Sequence, residues 1–182
     1  MKNYASFQIG GKQFSSRLMV GTGKYKSTQD MIQSLSNSET EIITVAVRRI
    51  KNDQTGDNLL EKIDWKKYWM LPNTAGCINS DEAVRIAILG RELAKLSGQE
   101  ENNFVKLEVI PDKKYLLPDP IETLKAAEIL IKKRFCCTSI YQCRSYSCKK
   151  IRRNRLCNCN AIRLAYWLRA RFIKFFEYKD NY

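Results

Sequence analysis

The chain has 182 residues, 44% of them apolar, enough for one domain with a substantial core. It carries 32 Lys and Arg against 19 Asp and Glu, a formal net charge of +13, and no histidine. Histidine acid–base chemistry and histidine metal sites are therefore excluded, and catalysis would fall to Lys, carboxylates, Cys or Tyr. No run approaches the roughly 18 apolar residues of a membrane-spanning helix.

The composition changes abruptly at Phe135. Up to that residue Lys and Arg outnumber Asp and Glu 21 to 17, with Cys77 the one cysteine; from Cys136 to Tyr182 the ratio is 11 to 2, with six cysteines. A basic excess usually points to nucleic acid or an acidic surface, but here it is confined to the last quarter. A single cysteine before the seam suits a reducing compartment, with Cys77 expected as a small buried residue. The opening Met1-Lys2-Asn3-Tyr4-Ala5 has no apolar h-region and no basic amphipathic presequence. The expectation is a soluble protein of the cytoplasm, or of the plastid stroma if the gene is plastid-encoded.

In chain order, Leu18-Met19-Val20 reads as a strand closed by the turn Gly21-Thr22-Gly23. A helix is expected from about Ser27, a candidate N-cap, to Leu35. Glu41 to Val47 is continuous and β-branched, the pattern of a strand covered on both faces. Met70-Leu71 leads into Pro72-Asn73-Thr74-Ala75-Gly76 as a third strand and loop. Asn79 with Glu82 predicts a capping box, opening a helix through roughly Leu96 with Ala83, Ile86, Ala87, Leu93 and Ala94 on one face. Phe104 to Ile110 is a fourth strand, and Asp119-Pro120-Ile121-Glu122 a second capping box, with Pro at the first position of a helix to about Lys133.

Alternating strands and helices imply an α/β protein with a parallel sheet, either a (β/α)8 barrel or an open doubly wound sheet. About four units fit before Phe135, whereas a barrel needs roughly 250 residues. The ordered part is half a fold.

The strand Val105-Lys106-Leu107-Glu108-Val109-Ile110 holds the candidate chemistry. Its period of two puts Val105, Leu107 and Val109 on one face and Phe104, Lys106, Glu108 and Ile110 on the other. An unpaired ammonium inside a sheet covered on both sides is costly, so such a lysine is tolerated chiefly where it serves a site. Burial lowers a lysine pKa, a neutral amine can attack a ketone to give a Schiff base, and a neighbouring carboxylate can move the protons. The alternative is an exposed edge strand with Lys106 and Glu108 as a solvated ion pair. Gly21-Thr22-Gly23-Lys24 lacks phosphate-loop spacing and reads better as a tight turn. Arg48-Arg49 is either a phosphate or acidic-partner site or a solvated pair, and Asn73 to Gly76 is a plain loop unless its strand opens onto an active-site mouth.

Together these residues resemble the thiazole synthase family. The matching pieces are Ile9-Gly10-Gly11-Lys12, Ser16-Arg17-Leu18, Gly21 to Tyr25, Thr44 to Arg49, Leu71 to Gly76, Glu82 to Ala87, Val105 to Ile110, Leu116 to Pro120 and Glu122 to Ala126. The resemblance covers about residues 7 to 135. It implies a (β/α)8 barrel in which Lys106 forms an imine with 1-deoxy-D-xylulose 5-phosphate, with Glu108 as the nearby acid. Sulfur would come from the C-terminal thiocarboxylate of a small sulfur-carrier protein, and dehydroglycine (2-iminoacetate) from a separate enzyme. No metal or other cofactor is implied in this subunit, and a homotetramer is. The phosphate-binding loops fall in the half that is missing.

The tail reads as an out-of-frame segment, so that residues 1–135 are the first four β/α units and 136–182 a non-native tail. Codons permitted for Cys136 onward, read one base later, give V-V-L-P-Y-T-N-A-D-P-I-L, then A-K-K-L-E-E-I-G-C-A-T-V-M-P and L-G-S-P-I-G-S-G-Q-G-L-L-N. These resemble the family's next strand, helix and glycine-rich loop in order. On this reading the chain as translated is expected to be inactive and prone to aggregate, because its sheet edges are uncovered and its phosphate loops absent. Competing readings are a metal site at Cys136, Cys137, Cys143, Cys148, Cys157 and Cys159, which lacks a C-x-x-C pair, and an RNA- or membrane-binding stretch from Arg163 to Phe176. The alternative function is a non-enzymatic basic protein that binds nucleic acid through its tail.

Overall fold

A short antiparallel hairpin opens the structure, pairing β1 (Phe7–Ile9) with β2 (Lys12–Phe14) around Gly10 and Gly11, both at positive φ. The Gly-Gly pair was the available signal for this hairpin, since two-residue turns of this kind need left-handed backbone. Gly10 is required for a second reason: a Cβ there would lie 2.7 Å from Cys136 Sγ and 2.9 Å from Phe104 Cε1. The computed structural model describes residues 6–50, 61–139 and 172–174.

The apolar runs form the main sheet: β3 (Leu18–Gly21), β4 (Ile42–Ala46), β5 (Trp69–Asn73) and β6 (Phe104–Leu107). They pair in parallel and in sequence order, and β7 (Cys136–Ser139) follows on β6, with Phe104 opposite Cys136 and Lys106 opposite Thr138. Five parallel strands without a reversal of order fit a barrel wall, whereas a doubly wound sheet reverses at a switch point. The sixth strand, β8 (Phe172–Lys174), lies antiparallel on β3. Three boundaries differ from expectation: β5 runs on through Pro72 and Asn73, which were expected in the following loop, and β4 and β6 end early. β4 stops at Ala46 and the chain tightens into a 3₁₀ turn at Val47–Arg49, while β6 ends at Leu107, although Val109 and Ile110 remain buried.

The two sheet faces are packed differently. On the outer face, α1 (Thr28–Asn37) buries Met31 and Leu35 against Val20, Ile43, Val45 and Met70. The next two helices, α2 (Ser80–Leu96) and α3 (Pro120–Lys132), cover Val105, Leu107, Val109 and Cys137. The buried stripe of α2 is small (Ala83, Ala87, Gly90, Ala94), which lets the helix approach the sheet closely. On the inner face, Met19, Ile42, Leu71, Phe104 and Cys136 form one cluster, plugged at its base by Ile9 and Phe14 of the hairpin.

The helix starts are built as expected, but the return bonds are not. Ser27 accepts from Asp30 N, Asn79 from Glu82 N, and Asp119 from the backbone N–H of both Ile121 and Glu122. In a capping box the Glu side chain reaches back to the cap residue's own N–H. Here Glu82 accepts instead from Ile78 N at 2.9 Å, and Glu122 reaches across to Ser80 at the start of α2. For Glu122, the packing of α2 beside α3 brings a second orphan helix N-terminus within reach.

The seam at Phe135 is continuous in the fold. Phe135 is buried under the guanidinium of Arg91, 4.1 Å above its ring, and the sheet runs through Cys136 and Cys137 into β7. Cysteine is a small apolar residue when buried, and backbone pairing tolerates it. Cys136 faces the inner cluster and Cys137 the outer one, so alternation separates these neighbours as metal ligands. Cys143, Cys148, Cys157 and Cys159 lie outside the described residues, as does the stretch Arg163 to Phe176 apart from β8. The uncovered β3 edge expected from sequence is in fact paired, by β8. Among the described residues no helix is long and apolar enough to cross a membrane.

Candidate active site

Lys106 sits in the middle of β6 with its side chain on the inner face, 6% exposed, and Glu108 follows two residues later, also 6% exposed. The expected division of β6 holds: Val105, Leu107 and Val109 pack under α2 and α3, and Phe104 joins the inner cluster. A solvated edge-strand pair is ruled out, because β6 lies between β5 and β7 and both charged groups are buried. Loss of hydration dominates both groups. It lowers the Lys106 ammonium below the usual lysine range, opposed by the Glu108 charge. It raises the Glu108 carboxyl, opposed by Lys106, by a hydrogen bond from Asn73 and by the Arg49 charge. No contact ion pair joins Lys106 to Glu108, unlike Arg48–Glu82, Lys95–Glu92 and Lys125–Glu122, which do meet as ion pairs.

The loop after β5 fixes the upper part of β6. Thr74, fully buried, donates its hydroxyl to Glu108 O and accepts from Glu108 N, each at 2.8 Å, and its own N–H reaches Lys106 O at 3.1 Å. Beyond it, Ile110 N reaches Cys77 O at 2.9 Å and Asp119 N reaches Val109 O at 2.9 Å. These bonds continue the backbone pairing past the end of the regular strand, which holds the Glu108 side chain on the Lys106 face. The segment Asn73 to Gly76 therefore lies against the candidate site and meets the condition that sets it apart from a plain loop, that its strand opens onto the site.

The remaining candidates resolve separately. Arg48 donates to Gly76 O at 2.8 Å and to Glu82 Oε1 at 2.6 Å, tying the β4 end to the β5 loop and α2. Arg49 is exposed, and its charge is felt by Glu108. Gly21 to Lys24 is a turn, as read, with Thr22 N on Thr44 O at 3.3 Å and α1 starting only at Thr28. Cys77 is buried and free, its thiol pushed up to about 11 by burial first and by the Glu82 charge next. At pH 7 it is a neutral thiol, a packing residue as expected.

Registers across the sheet order the inner face in layers. Gly21, Thr44 and Leu71 lie level, followed one layer higher by Ala46, Asn73, Lys106 and Thr138. The lower layer is apolar apart from Thr44; the upper one is polar apart from Ala46, with Glu108 above it. Active sites of parallel barrels lie at this carboxyl end of the strands.

Comparison with known proteins identifies the family. The family model described as thiazole biosynthesis protein ThiG matches residues 8–162. The chain belongs to the thiazole synthase family. The thiazole synthase of Prochlorococcus marinus strain MIT 9215 is 92% identical over 135 residues, which are 74% of this chain and 51% of that protein. Those of strains AS9601 and MED4 are 92% and 82% identical over the same length. The chain thus spans about half the length of the curated relatives it matches, and its fold is the N-terminal half of a thiazole synthase barrel. A structure solved as the Amycolatopsis orientalis BexX/CysO complex shares the fold, with a TM-score of 0.65 at 17% identity, over 84% of this chain and 59% of that one.

Proposed function

We propose that the gene encodes a thiazole synthase, which forms the thiazole phosphate moiety of thiamine, and that Lys106 is its imine-forming residue. The observation that carries this is a lysine and a carboxylate, both 6% exposed, side by side on the inner wall of a half-barrel, with no contact ion pair for the ammonium among the described residues. Poor hydration keeps a larger share of the amine neutral at pH 7 than an ordinary lysine has. Lys106 Nζ adds to the ketone carbon of 1-deoxy-D-xylulose 5-phosphate, and the carbinolamine loses its hydroxyl as water to give the imine. Glu108, its carboxyl raised by burial, delivers the proton that leaves with that water and takes up the proton lost when the imine becomes an enamine.

Sulfur enters from the thiocarboxylate of a small carrier protein, and dehydroglycine supplies the remaining ring atoms. That a protein of this fold was solved as a BexX/CysO complex supports docking of a second protein on such a barrel. We take residues 136–182 as a tail read out of frame, because the curated relatives match over 135 residues, the length up to the compositional seam, while the family model itself extends to residue 162. The phosphate-side loops would have followed in the original frame, so the chain as translated binds the sugar phosphate weakly and turns it over poorly. The nucleotide sequence across the codons for Lys132 to Cys137 tests the frame. Borohydride reduction in the presence of the sugar phosphate tests the chemistry: a reduced adduct on the peptide carrying Lys106, absent in Lys106→Met, supports the assignment. Labelling spread evenly over the exposed lysines would refute it.

A further inference from the structure

Among the described residues, three inner-face polar atoms have no hydrogen-bond partner although they are buried: Trp69 Nε1 in the apolar cluster at the base, and Thr44 Oγ1 and Asn73 Oδ1 near the level of Lys106. Thr44 and Asn73 are 7% and 8% exposed. An unsatisfied buried acceptor costs stability, and natural interiors keep few of them. Asn73 is the direct register partner of Lys106, on the neighbouring strand, with Thr44 one strand further and one layer lower. Asn73 lies on the same sheet face as Lys106, and its amide Oδ1 is the atom left without a donor. Oδ1 can only accept. What satisfies it must bring an O–H or N–H to the side of Lys106.

We infer that Asn73 and Thr44 are the specificity-determining residues beside Lys106, reading a hydroxyl on the carbon next to the ketone that the lysine attacks. The inference rests on the imine-forming role of Lys106. Neighbouring strands lie about 4.8 Å apart, so Asn73 and Lys106 start from backbones one strand spacing from each other. In an imine the neighbouring hydroxyl oxygen is two bonds from the former carbonyl carbon, a reach that brings it toward the strand beside Lys106. There it donates to Asn73 Oδ1. The Thr44 hydroxyl, which can both donate and accept, takes the lower position. Such pairing discriminates well, because a ketone without the hydroxyl leaves the buried acceptor unpaired while its imine forms.

The test uses the whole chain and two small ketones that need no phosphate site, 3-hydroxybutan-2-one and butan-2-one. Each is reduced onto the protein with cyanoborohydride and quantified on the Lys106 peptide by mass spectrometry. The readout is the ratio of labelling rates, normalised to the ratio on N-α-acetyl-lysine. The wild-type chain is expected to favour the hydroxyketone about five- to tenfold, the worth of one buried hydrogen bond. Asn73→Ala brings the ratio near one, Asn73→Asp, which keeps an acceptor oxygen, retains most of it, and Thr44→Val lowers it partway. A distorted fold would slow both ketones together and leave the ratio in place. A wild-type ratio near one, or an Asn73→Ala ratio equal to wild type, overturns the inference while leaving Lys106 as the imine former. Failure of both ketones to label Lys106 overturns both.

Discussion

The Glu122 carboxylate accepts from both the backbone N–H of Ser80, at 2.9 Å, and its hydroxyl, at 2.7 Å, so the first turn of α3 caps the first turn of α2. Lys125 closes the arrangement at 2.6 Å from the other carboxylate oxygen.

Glu122 is held down to about 2, with the hydrogen bonds from Lys125 and Ser80 as the leading causes. Its folded value lies below its unfolded one, near 4.5, so its stabilisation is present above about pH 4.5 and is lost as pH falls toward 2. Glu122→Gln should therefore melt a few degrees below wild type at pH 7, and the two should converge near pH 2. Parallel melting curves across this range, with no convergence, would show that the carboxylate charge is not what couples the helices.

Lys106 and Glu108 are shifted the other way from stabilising ion pairs. Because the amine is pushed below 10.5, labelling of Lys106 by a ketone should reach half its plateau at a pH below that of exposed lysines on the same chain. For Glu108, whose folded value is raised above 4.5, the stability present below that pH is lost as pH rises through the folded value. Glu108→Gln should thus be more stable than wild type at pH 7.5 and differ little at pH 4, measured by urea unfolding. Equal gains at both pH values would mean that the buried charge is not the cause.

Thr44 is expected to show a conflict between stability and specificity. Val matches its shape and removes the unpaired Oγ1, so Thr44→Val should raise stability by about 0.5–1 kcal/mol. A loss of stability would show that the hydroxyl has a partner in solution.

Two glycine exchanges should have opposite signs. Gly90→Ala would normally stabilise a helix interior by about 1 kcal/mol. Here the added Cβ would lie 2.5 Å from Pro72 Cβ and 3.1 Å from Val47 Cγ2, so a net loss of about 1–2 kcal/mol is expected. Both α2 and α3 end in the same motif, with Gln99 N on Ala94 O and Phe135 N on Leu130 O. The left-handed residue is Gly98 in α2 but Arg134, at φ 62°, in α3. Arg134→Gly should therefore stabilise by about 0.5–1 kcal/mol, read from the shift in denaturation midpoint.

The helices and the central strands were legible because their signals are local. The Ser27, Asn79 and Asp119 caps sit where their side chains can reach the next free N–H, and the alternation around Lys106 assigns both faces of β6 from spacing alone. The hairpin was not read as strands, since three-residue strands carry too little periodicity. Nor did spacing show which charged groups are buried, because an edge strand and a central strand share the same Lys-x-Glu pattern.

By itself, then, the order of residues determined a strand–helix repeat, a lysine and a carboxylate on one strand face, and a break in composition at Phe135. Tertiary structure alone decided that β6 is interior, that Asn73 lies opposite Lys106 with one oxygen unpaired, and that Cys136–Ser139 continue the wall. The physical reason is that burial and register depend on partners far along the chain, as Asn73 and Lys106 are, whereas capping and alternation depend on neighbours within a turn or a strand.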